Sequence, residues 1–191
     1  MVTDPCDKST GYTLGRPTAD LVTVSIDNPA HNWVAGVAGD PRVIEGPGEF
    51  EIANVSVVGV TTRAGDSAAA GRNVAYVIEL EDLKICHLGG LNHVPTSDQI
   101  EEMGNVDILL VPVGGGDALG ATVAAEAVSL IEAKLVIPMY YKTDAEKAQL
   151  DPIDRFLKEM GAKTGDTHAK LAVTRSSLPE ETQVLVIDYK R

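Results

Sequence analysis

Two apolar runs without polar alternation, VDILLVPVGG (106–115) and KLVIPMYY (134–141), constrain this chain more than any other feature. Such a run is fit for a strand covered on both faces, because an open face would leave its Val, Leu and Ile side chains in water. Between them, ATVAAEAVSLIEA (121–133) places apolar residues at helical spacing among good helix formers. The pattern calls for a layered α/β architecture with sheets packed together and helices outside.

The first half of the chain is rich in short β-forming runs. LVTVSI (21–26), GEFEI (48–52), NVSVVGVTT (54–62), VAYVIEL (74–80) and LKICHLG (83–89) are bounded by Gly, Pro, Asp or Asn and read as strands. The last two form a hairpin turning at the acidic Glu-Asp pair. TSDQIEEMG (96–104) has a Thr/Ser start and a terminal Gly, and predicts a short capped helix. DPIDRFLKEMG (151–161) predicts a helix with Pro near its first turn, and AKLAVTRSS (169–177) and QVLVIDY (183–189) predict closing strands. With no linker, repeat or low-complexity tract, one domain over 1–191 is expected, and AGDSAAAGRN (64–73) reads as a loop within it.

A formal charge of -12 repels phosphate backbones and anionic lipid, so neither nucleic acid nor a membrane surface is an expected partner. No run reaches the roughly 18 apolar residues a spanning helix needs. The opening MVTDPCDKST has neither a basic start nor an apolar stretch, so a cytoplasmic location is expected. Cys6 and Cys86 form no disulfide framework or metal-spacing pair, and Cys86 in LKICHL reads as a buried small hydrophobe.

The stretches LVTVSIDNPAHN, VIEGPGEFEI, GRNVAYVIELEDLKICHLGGLNH, VDILLVPVGG, LVIPMYYKT and SSLPEETQV, in this order and spacing, resemble the small zinc-dependent hydrolases of the metallo-β-lactamase superfamily. The resemblance implies a four-layer αββα sandwich with a metal site at one edge of its two sheets. It also implies two opening strands of about 20 to 25 residues before the TDP segment. This chain starts at that segment, so the sandwich is expected to lack its first strands and to leave a sheet edge for a partner chain or a rearranged terminus to cover.

A hydrolytic metal needs several His and Asp ligands and one position for an activated water. The resemblance places the family's His-x-His-x-Asp-His signature on Ile26 to His31, where only His31 is a ligand type. Ile26, Asn28 and Ala30 stand at the other ligand positions, and Asp27 occupies a spacer. The next His falls at Ala64, the bridging Asp of the HLGD motif at Gly90, and the His of PMHY at Tyr140. The Asp expected after VGG falls at Gly120. Ile, Ala and Gly cannot coordinate a cation, and Asn and neutral Tyr are poor zinc ligands.

These substitutions predict a pseudo-hydrolase with an emptied metal site, no cofactor, and a binding or assembly role as a homo-oligomer with an unassigned small-molecule ligand. The alternative is a metal-dependent hydrolase with an altered or weak site for zinc or another divalent ion, built ad hoc from Asp27, His31 and His93. A second alternative is a small-anion binder at the Gly-rich turn of VPVGGGDALG (111–120), which otherwise reads as a tight strand-to-helix connection. His31 reads first as a loop histidine bonded to a carbonyl rather than a metal ligand, and His87 as a structural histidine on a strand. Tyr140 and Tyr141 could donate into the pocket or simply pack their rings. Ser176 and Ser177 read as a strand end and turn, with no base placed to activate them.

Overall fold

The structure is a computed structural model of the 191-residue chain and describes residues 1–62, 72–162 and 167–189. Its frame is two sheets. The smaller is parallel, with β1 (Val2–Thr3), β2 (Leu21–Thr23) and β3 (Arg42–Ile44) in that spatial order. The larger has seven strands: β4 (Gly48–Ile52), β5 (Val55–Thr61), β6 (Val74–Leu80), β7 (Leu83–His87), β8 (Ile108–Pro112), β9 (Leu135–Met139) and β10 (Gln183–Val184). They lie side by side in chain order, antiparallel from β4 to β7 and parallel from β7 to β10.

Local chemistry explains the meander. Ala53–Asn54 and Glu81–Asp82 each place two consecutive residues at positive φ (53° and 62°; 50° and 64°). That is the backbone of a two-residue hairpin turn whose twist matches its strands. The Glu-Asp hairpin read from the sequence is therefore present, with Leu80 opposite Leu83.

The pleat then sorts the side chains. Val74, Tyr76 and Ile78 of β6 pack with Val57, Leu21 and Ile44 between the two sheets. Ala75 and Val77 point the other way, into a larger core with Cys86, Leu109, Val111, Val136 and the helices. The buried Tyr76 hydroxyl donates to the carbonyls of Val24 (2.9 Å) and Ile44 (3.2 Å), tying one sheet to the other. Three α-helices, α1 (Ser97–Met103), α2 (Ala121–Ile131) and α3 (Asp154–Glu159), cover the outer face of the large sheet through Met103, Ala124, Ala127, Val128, Ile131 and Phe156. On the small sheet the outer layer is irregular: Val34 of the 3-10 turn Val34–Gly36, Leu14 and Val2 pack on Ala19, Val22, Val24 and Val37. The layers are thus helices, large sheet, small sheet and a coil layer. Among the described residues, no helix is long and apolar enough to cross a membrane.

Three expectations change in detail. The segment 169–177 is not a strand: an isolated bridge between His168 and Ile187 precedes it, and it ends in a 3-10 turn at Arg175–Ser177. Its apolar residues Leu171 and Val173, with Leu178 and Leu185, cap the patch formed by Leu83, Ile108 and Leu135. They lie across a sheet face, where burial rather than ladder pairing satisfies them. The final strand shrinks to Gln183–Val184, and LVTVSI to Leu21–Thr23. β3 was not foreseen, because three residues before EGPG give too short a pattern and its partner β2 is remote in sequence.

Candidate functional site

The loop 25–32 follows β2 at the edge where both sheets end, and Asp4 anchors it. Asp4 sits at φ 44°, one residue past β1, and its amide donates to Thr23 O at 2.9 Å. Its carboxylate accepts from the Ser25 amide (2.7 Å) and the Ser25 hydroxyl, and pairs with His31 Nδ1 at 2.8 Å. Burial alone would raise the Asp4 carboxyl, but His87, His31 and Ser25 outweigh it and hold it below the usual carboxylate range. His87 is buried without a partner for Nδ1. Burial pushes its imidazole down, partly opposed by Asp4.

The loop's polar groups turn inward on the loop itself. Asn28 Oδ1 accepts from the Ala30 amide at 2.9 Å, and Asn28 O accepts from the amides of His31 and Asn32. Asp27 is exposed, with Oδ1 accepting from Asn32 Nδ2 at 2.7 Å. These bonds, all within the loop, spend several of the donors and acceptors a bound group would need.

The positions expected to converge do so in pairs. The His31 ring lies 6.2 Å from the Tyr140 ring. A Cβ built on Gly90 would stand 3.9 Å from Ile26 Cδ1 and 3.8 Å from Asn73 Oδ1, so this position has ordinary room for a side chain. Gly120 has open space around it. Ala64 lies outside the described residues. His93 stands apart: Nδ1 and Nε2 face the carbonyls of Val94 (2.8 Å) and Thr62 (3.0 Å), leaving neither ring nitrogen for a cation. Asp27, His31 and His93 are not brought together, and among the described residues no group of three or more His, Cys, Asp or Glu could hold a metal ion. The donor chemistry of the described residues therefore does not fit a two-metal cage.

The Gly-rich turn closes on itself. Gly114 bridges Gly120, and the Gly115 amide donates to Leu119 O at 2.9 Å, the tight strand-to-helix connection read from the sequence. Ser177 forms a capping box with Thr174. Cys86 is buried and its thiol is pushed up to about 12, which leaves it unreactive.

Sequence reasoning passed over the feature beside His31. A cavity of about 330 Å³ is lined by His31, Cys6, Tyr12, Tyr140, Tyr141, Glu146 and Tyr189, among others. Its walls come from four distant stretches, which no local motif could reveal. The one available signal was the placing of four of the five tyrosines, at 140 and 141 and toward the two ends of the sequence.

Comparison with known proteins converges on one family. A model described as β-lactamase superfamily domain matches residues 1–140. A protein of Thermococcus onnurineus named a metal-dependent hydrolase is 34% identical over 120 residues, covering 61% of this chain and 53% of that protein. One of the same name from Natranaerobius thermophilus is 29% identical over 131 residues, covering 68% and 56%. The chain thus spans about half the length of the curated relatives it matches. A crystal structure from Thermotoga maritima, assigned to the Zn-dependent hydrolases of the metallo-β-lactamase superfamily, superposes with a TM-score of 0.78 at 39% identity, covering 97% of this chain and 88% of that one.

Proposed function

Because this chain belongs to the metallo-β-lactamase superfamily, we propose that it keeps the sandwich and edge pocket of that hydrolase lineage and uses the pocket to bind a small molecule without the family's metal chemistry. One observation carries this reading. His31 stands beside Tyr140 and Ile26 beside Gly90, and these positions present a carboxylate-paired imidazole, a phenol, hydrocarbon and a bare backbone. A divalent ion held by His31 alone would keep most of its hydration shell and little affinity.

The second reading is a metal-dependent hydrolase with an altered or weak metal set. The relatives' names favour it over the first, since the proteins this chain resembles are called metal-dependent hydrolases. In that case His31 supplies a nitrogen, Asp4 fixes its tautomer through Nδ1, and the remaining donors come from residues outside the family's positions.

Metal analysis separates the two. Protein purified without chelator should contain far less than one zinc, manganese or iron per chain. A variant carrying Ile26→His, Asn28→His, Ala30→Asp, Gly90→Asp and Tyr140→His should gain stoichiometric zinc. A parent chain that already holds a full equivalent, with ester or phosphodiester hydrolysis that disappears on chelation, would establish the second reading instead.

A further inference from the structure

Four of the chain's five tyrosines, Tyr12, Tyr140, Tyr141 and Tyr189, line the single cavity beside His31. In a chain with 4% aromatic residues, that concentration is a property of the site and not of the composition. The rings are held in place. Tyr12 and Tyr189 meet edge to face at 5.6 Å and 83°, and the Tyr12 hydroxyl is hydrogen-bonded to Thr143 Oγ1 at 2.6 Å. Tyr140 is backed by His31 at 6.2 Å.

The described cavity lining carries a carboxylate and no Lys or Arg. Glu146 lies in its wall, only 9% exposed, with Oε1 accepting from the Ala148 amide at 2.8 Å. Burial, then Asp117 and Glu146, raise the Tyr140 phenol. Burial, with Asp188 among the neighbours, does the same for Tyr141. Both therefore stay neutral rings with negative faces at pH 7. Among the described residues no Lys or Arg lines the cavity. Lys142 turns its ammonium to the carbonyls of Glu146 and Ala148, and Lys147 turns to Lys8 O. His31, the one residue there that could carry positive charge, is matched by Asp4.

We infer that this cavity takes a small organic cation, an ammonium head carried on an apolar or aromatic body. The ring faces and the Glu146 carboxylate stabilise the positive head, and Ile137, Met139 and Ile187 receive the body. A volume of about 330 Å³ suits a ligand of that size. An anion would meet the Glu146 carboxylate with no Lys or Arg in the described lining to offset it. This inference rests on the reading of the edge pocket as a binding site.

Isothermal titration at fixed ionic strength with three matched probes tests it: benzyltrimethylammonium, benzyl alcohol and benzoate. The cation should bind about tenfold or more tightly than either of the others. Glu146→Gln, which keeps Oε1 as an acceptor for Ala148, should erase most of that preference while leaving benzyl alcohol unchanged. Tyr189→Leu, near the chain end, should weaken the cation severalfold without disturbing the sheets. Equal affinities, a preference for benzoate, no cation binding, or an unaltered preference in Glu146→Gln would each overturn the inference. Metal content is read separately. Cation preference in a zinc-loaded chain would sink only the metal-free reading, and metal-free protein that ignores the cation would sink only this one.

Discussion

Asp4 and His87 make the edge of this molecule sensitive to acid. Folded Asp4 titrates below its unfolded value, so its contribution is complete above about pH 4 and is lost as pH falls through the folded value. His87 acts in the same direction at higher pH. Its folded value lies below the unfolded one of about 6.5, so the unfolded chain takes the proton first and stability drops as pH falls from there. Urea unfolding should therefore show a falling midpoint between pH 7 and 5, and His87→Leu should flatten that window. Because His87 Nδ1 is buried without a partner, the same variant should be neutral or about 1 kcal/mol more stable at pH 7. Asp4→Asn removes a charge that orders both Ser25 and His31, and should cost about 2 kcal/mol in the same assay at pH 7.

At the scale of elements, the site depends on where backbones pass close to one another. A Cβ on Gly114, two residues past the end of β8, would press on Tyr140 O and stand 2.8 Å from Tyr141 Cα, both of them main chain that cannot swing aside. Gly114→Ala should destabilise by about 2 kcal/mol and disturb the wall formed by Tyr140 and Tyr141. Gly90→Ala, with no contact inside 3.8 Å, should stay within about 0.5 kcal/mol of the parent. Thermal melts of the pair separate a glycine required by packing from one whose surroundings have room for a side chain. The start of α1 shows how much of an element a sequence can carry. Thr96 and Gln99 form the reciprocal capping box, and Gln99 Nε2 also reaches Thr61 O at 3.1 Å. Its Thr start and closing Gly were readable from TSDQIEEMG, because the signals are adjacent and act through the local backbone. The run 169–177 failed as a strand for the opposite reason. Its alternating apolar residues serve a sheet face chosen by the rest of the fold.

For the whole molecule, the -12 charge predicts self-repulsion in the compact state, so moderate salt should raise the melting temperature rather than lower it. Self-association remains a proposal, motivated by the short outer strands β1 and β3 of the small sheet and the exposed Val43 on β3. Light scattering should report a dimer or larger species, and a well-folded monomer near 20 kDa would end that proposal. Much of the architecture was legible in the chain itself. Doubly covered strands at 106–115 and 134–141, the helix between them and the Glu-Asp hairpin all follow from periodicity and turn chemistry, which act over a few residues. The family itself was legible too, because the resembling stretches lie in recognisable order and a family model matches residues 1–140. What only the tertiary structure decided is which distant groups meet: Asp4 under His31, His87 stranded beside them, and tyrosines from 12, 140, 141 and 189 around one carboxylate. Such encounters depend on how two sheets stack and where their loops end, a geometry set by burial of the whole core and absent from any local pattern.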